Sequence, residues 1–148
     1  MATPGKNSDQ GEFDDLREIE RRLEESERAS YVRGRLQHEW WDEVKRLQRE
    51  GDFAGMEALL VEMRDAAERS SAIMGSAIPF APTQALLALH KVRGDDAAAL
   101  AEVDRYITAT METVIIDPEG GNTGLARALE WWAVLEGTVS GDGDEVGE

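Results

Sequence analysis

The 148-residue chain contains no cysteine. A disulfide scaffold, a thiolate nucleophile and a cysteine-ligated zinc are therefore excluded, and any core must be held by packing alone. Proline occurs only 4 times and histidine only 2 times, and no run approaches the ~20 apolar residues of a membrane span. The N-terminal stretch Met1-Ala-Thr-Pro-Gly-Lys has no apolar segment that could act as a signal peptide, so the expectation is a soluble, cytoplasmic protein without membrane contact.

Positive charge is also scarce. The formal net charge is −15, and residues 94–148 carry 13 acids against 2 bases, Arg105 and Arg127. That segment cannot neutralise phosphates, which argues against nucleic-acid binding and for a basic protein partner, or for acidity that only solubilises.

What the chain does have is helical periodicity. Val32, Leu36, Trp40, Val44 and Leu47 recur at three- and four-residue steps, as do Phe53, Met56, Leu60, Met63 and Ala67 after Gly51-Asp52. The spacing predicts two helices folded back on each other, with Gly51 taking the left-handed conformation that ends the first and Asp52 capping the second. The apolar segment 70–82, with two prolines, is expected to break the second helix and cover the core or form part of a partner surface. Thr83 is then expected to cap a helix to Arg93. Gly94-Asp95 repeats the punctuation, and a helix over 96–116 carries Leu100, Val103, Ile107, Met111 and Val114 on one face. A last helix over 125–136 carries Leu125, Leu129 and Trp132.

Residues 1–11 and the acidic, Gly-rich tail 137–148 are expected to be disordered. Between them lies a single helical domain over 12–136. Its first helix, 12–29, is highly charged and carries a narrow stripe of Phe13, Leu16, Ile19 and Leu23. That stripe can dock on the domain, meet a partner or pair with a second copy as a homodimer.

The two Gly-Asp turns lie 43 residues apart and superpose Ala54 on Ala97, Ala58 on Ala101, and Leu60 on Val103. Trp40 stands eleven residues before the first turn glycine and Phe53 two after it, and Leu86 and Ala99 fall at other positions of the same repeat pattern in the second unit. Over roughly residues 38–116 the pattern resembles the tetratricopeptide-repeat class of αα-hairpins. Met56 and Asp96 depart from it, and residues 70–82 are surplus to its period. The resemblance implies an all-α bundle of five to six helices, stacked as antiparallel hairpins, whose concave face binds a peptide or protein.

Each Trp-Trp pair puts one ring on a core stripe and the other at its edge, because neighbours on a helix differ by about 100°. Trp40 and Trp132 fit the core positions; Trp41 and Trp131 fit the edge, where tryptophan often anchors a partner. Ile78 and Phe80 in the apolar loop, and Asp95, Asp96, Glu102 and Asp104 toward a basic partner, complete the candidate surface. Arg33-Gly-Arg-Leu-Gln-His38 matches the Arg-x4-His pattern of the HEPN ribonucleases, although a glycine follows the arginine. His38 with Asp42, or Glu39 with Glu43, has helical spacing for a metal, and Gly120–Gly124 precedes a helix without the lysine of a phosphate loop. No hydrolase motif is present. The expectation is a non-enzymatic protein-interaction module without cofactor or metal, an adaptor. The alternative is an acidic inhibitor of a basic nuclease or defence protein.

Overall fold

The computed structural model describes the backbone of residues 4–114 and 122–147, and side chains over 11–112 and 124–137. Six α-helices follow in order among the described residues: α1 (Pro4–Ala29), α2 (Trp41–Glu50), α3 (Phe53–Met74), α4 (Ala81–Val92), α5 (Asp96–Val114) and α6 (Asn122–Gly147). Each of α2 to α6 packs on the next, and α1 lies along α3. This all-α stack of antiparallel neighbours is compatible with a helical-repeat architecture.

Both Gly-Asp turns form as their chemistry dictates. Gly51 (φ 72°) ends α2 in the left-handed conformation, and Asp52 Oδ1 accepts from the Gly55 amide at 3.0 Å. Gly94 has φ 71°, and Asp95 accepts from the Ala98 amide at 3.0 Å. Two free amides at helix starts are thereby satisfied by the residue that follows the glycine.

The backbone before Trp41 departs from the expected helix. Tyr31–Val32 and Arg35–Leu36 instead pair as a minimal β-hairpin, and a 3-10 turn spans Gln37–Trp40. Arg33 (φ 48°) and Gly34 (φ 86°) both take positive φ, the signature of a two-residue hairpin turn. Val32 is buried all the same, and its carbonyl accepts from the Trp40 indole N–H at 2.8 Å. Val32 and Trp40 thus reach the first core on a different backbone, whereas Leu36, expected on the same stripe, is only half-buried and joins neither core.

Three further boundaries move. Helix α3 continues through Ser70–Met74 and stops at Gly75 (φ 65°), so the break is the glycine and not Ser70. Thr83 is buried inside α4 rather than capping it, because Pro82 suits the first helical turn, where no amide bond is lost. Helix α1 begins upstream of Glu12, with Pro4 as its first residue. Residues 115–121, and with them most of the expected loop 117–124, lie outside the described residues, as do the side chains of the tail beyond Gly137.

There are two apolar cores. Val32, Val44, Leu47, Met56, Leu59, Leu60, Met63, Ala66, Leu86 and Leu89 form one among α2, α3 and α4. Ile78, Phe80, Leu87, Ala99, Val103, Tyr106, Ala128 and Leu135 form the other. Helices α5 and α6 are turned relative to the expected stripes. On α5 the inward residues are Ala99, Val103, Tyr106 and Thr110, with Met111 exposed. On α6 they are Ala128 and Leu135, with Trp131 packed against the same core, while Leu129 and Trp132 face out. Small residues decide this: Gly124 and Ala128 let α6 come close to α5, which a larger residue on that face would prevent.

Candidate partner-binding groove

Ala81, Gln84, Ala85 and Ala88 recur along α4 at the spacing of one helical face, and three alanines there leave a shallow floor. On one side stand Trp41 and Lys45, one turn apart on α2, enclosing with that floor a cleft of about 460 Å³. On the other side Ile78, Phe80, Tyr106, Gly124 and Arg127 bound a second cleft of about 390 Å³. Ala81 and Gln84 line both, so the clefts form one groove running across α2, α4 and the start of α6.

The second wall is rigid. The Tyr106 hydroxyl donates to the Ile78 carbonyl at 2.9 Å, and its ring meets Phe80 edge-on, with centroids 4.9 Å apart. Burial pushes the Tyr106 hydroxyl above its ordinary pKa against a bond to Thr110, so it remains a neutral donor. The Trp41 ring is half-buried against the first core, with its outer edge open to the cleft.

Charge marks the groove more sharply than shape. Among the described cations nearly all are engaged: nine of them form ion pairs, Arg17 and Arg35 lie over the Phe13 and Trp40 rings, and Arg69 donates to the Ala29 carbonyl. Lys45, Arg49 and Arg127 are left without such a partner, and two of these three stand on the groove. Among the described residues no carboxylate lines it.

Of the residues singled out in the sequence, the structure brings Trp41, Ile78 and Phe80 to this groove. Ile78 and Phe80 are each 7% exposed and contribute mainly to the second core, presenting only an edge. Trp131 lies one turn beyond Arg127 and is half-buried, whereas Trp132, assigned to the core by spacing, is the exposed member of its pair. The acids lie elsewhere, on α5 and its cap. Asp95 caps the helix, Asp96 pairs with Lys91 at 3.0 Å, and Glu102 pairs with the buried Arg64. Burial raises the Glu102 carboxyl above its ordinary pKa, with Arg64 opposing, and its Oε2 has no partner. Asp104 alone of the four is exposed and unengaged among the described residues.

Lys45, Gln84, Tyr106 and Arg127 escaped the sequence reading, and only the four-residue step from Trp41 to Lys45 hinted at one of them. His38 is exposed in the 3-10 turn, while Arg33 sits in the β-turn and pairs with Glu62, so the two share no helix. No group of three or more potential metal ligands occurs among the described residues, and none of the helices searched there is long and apolar enough to cross a membrane. Comparison with family models, curated proteins and solved structures returns no match.

Proposed function

We propose that this chain is a non-enzymatic protein-interaction module that holds an extended peptide segment of a partner in the groove across α2, α4 and α6. The reading rests on one observation: in a protein of net charge −15, two of the three unengaged described cations, Lys45 and Arg127, flank an apolar groove that no carboxylate lines among the described residues. Such a groove favours a segment with apolar residues for Trp41 and the alanine floor, and carboxylates for its two ends. The groove also lies on the first helix of each successive hairpin, the face that a tetratricopeptide-like stack would offer. An adaptor role accords with the described lining of the groove, which is apolar apart from Lys45, Gln84, Tyr106 and Arg127.

The test is an array of immobilised peptides of graded charge, probed with the purified chain. Peptides mixing leucine or phenylalanine with aspartate or glutamate are expected to bind, and Trp41→Ala and Lys45→Glu/Arg127→Glu to reduce binding at least ~10-fold. Preference for basic peptides, lost at high salt and indifferent to Trp41, would overturn this reading in favour of an acidic inhibitor.

A further inference from the structure

Helix α1 is only half docked. Ser26 is buried, its hydroxyl 2.5 Å from that of Ser70, and Ala29 accepts from Arg69, so the C-terminal part of α1 runs antiparallel along the end of α3. Every residue from Gly11 to Glu24 is exposed, and Phe13, Leu16, Ile19 and Leu23 are between 50% and 58% exposed. Leu16, Ile19, Leu23 and Ser26 recur at three, four and three residues, so the stripe that α3 covers at Ser26 continues past the end of α3 with nothing on it. An isolated helical arm of this length is marginal in water, so the stripe needs a cover.

We propose that the cover is the same arm of a second copy, paired antiparallel. Three observations select it. The arm is charge-asymmetric: residues 12–20 hold five acids and Arg17, whereas residues 21–28 hold Arg21, Arg22 and Arg28 against three acids. Parallel pairing would set the acidic halves against each other; antiparallel pairing sets each against the arginine-bearing half. With Leu16 and Leu23 at equivalent heptad positions, Asp15 and Arg22 flank the seam on one side, and an antiparallel register centred between Glu18 and Ile19 brings Asp15 of each copy to Arg22 of the other. Asp15 makes no ion pair among the described residues, and Arg22 makes only one long contact, 3.3 Å to Glu18. The same register lays the Phe13 of one copy within a residue of Leu23 of the other, next to Arg21, Arg22 and Glu25, which with Ile73 and Met74 of α3 line a cleft of about 350 Å³. The outer face of α6, with Leu129, Trp132 and Val134, is the competing surface, but its neighbours Glu130 and Glu136 offer a second copy no opposite charge.

The experiment is sedimentation equilibrium on the full chain. A mass twice the 16.3 kDa of one chain is expected, falling to that of a monomer in Ile19→Glu and unchanged in Trp132→Glu. Asp15→Arg and Arg22→Asp should each raise the dimer dissociation constant roughly fivefold, since each turns two attractive pairs repulsive, and the double swap should restore it. These positions are exposed, so circular dichroism should report an intact body throughout. A monomer at about 100 µM, a dimer that survives Ile19→Glu or is lost in Trp132→Glu, or a double swap no tighter than either single variant would each overturn the proposal.

Discussion

A Cβ on Gly124 would stand 2.1 Å from the Tyr106 hydroxyl oxygen, so the first turn of α6 reaches α5 only because that position carries no side chain. The same hydroxyl donates to the Ile78 carbonyl, and the same ring packs on Phe80. One tyrosine therefore ties α5, α6 and the loop before α4 together and sets one wall of the groove.

Gly124→Ala should accordingly destabilise the protein by about 1–3 kcal/mol, through overpacking. In a Tyr106→Phe background the nearest remaining ring carbon is 3.2 Å away, and the cost of the alanine should fall by at least about half. Urea denaturation of the four variants measures this. Equal costs in both backgrounds would mean the contact does not limit the approach.

At the first Gly-Asp turn, Asp52→Ala should cost about 1 kcal/mol by freeing the Gly55 amide, and Gly51→Ala about 1–2 kcal/mol by forcing a Cβ into the left-handed region. Both should shift the denaturation midpoint without changing its slope. A larger loss from Asp52 than from Gly51 would place the turn's main constraint in the cap.

The inverted roles of the paired tryptophans give a third expectation. Trp131→Ala removes a ring packed on the second core and should cost roughly 2–3 kcal/mol, whereas Trp132→Ala, at a position 39% exposed, should cost less than about 1 kcal/mol. The reverse order would restore the stripe that spacing alone suggests.

Glu102 carries a pH dependence of definite sign. Burial raises its carboxyl above the ordinary value of 4.5 despite Arg64, so the folded state holds this proton more tightly than the unfolded chain. Its contribution is full below the unfolded pKa and is lost as pH rises through the folded one. The stability of the natural protein relative to Glu102→Gln should therefore fall as the pH rises from the ordinary carboxyl value of 4.5 upward. A relative gain over that rise would mean that the Arg64 pair outweighs desolvation.

Much of the fold was legible because its signals are local. Gly51-Asp52 and Gly94-Asp95 specify their turns through a positive φ and a side-chain cap, each needing only three or four residues of context. The stripe of α3 was legible too, since Met56, Leu60 and Met63 all face the first core and Ala67 is buried as well. The groove was not: Trp41 stood out by its chemistry, but Gln84 and Arg127 join it only through packing of helices far apart in sequence.

By itself, then, the sequence determined that the chain is helical, where two of its turns fall, and that neither disulfides nor cysteine-bound metal hold it together. Only the tertiary structure decided which way the two-faced helices turn. On α5 and α6 apolar residues occupy more than one face, and the small residues Ala99, Gly124 and Ala128 win the interior because close approach buries more surface than a longer side chain held at a distance. Only the tertiary structure decided where charge is spent, too. Arg64 and Glu102 pair across 38 residues of sequence, while Lys45 and Arg127 find no acid among the described residues. Side-chain chemistry is written residue by residue, but whether a charge is used within the fold or left for a partner depends on what folding brings beside it.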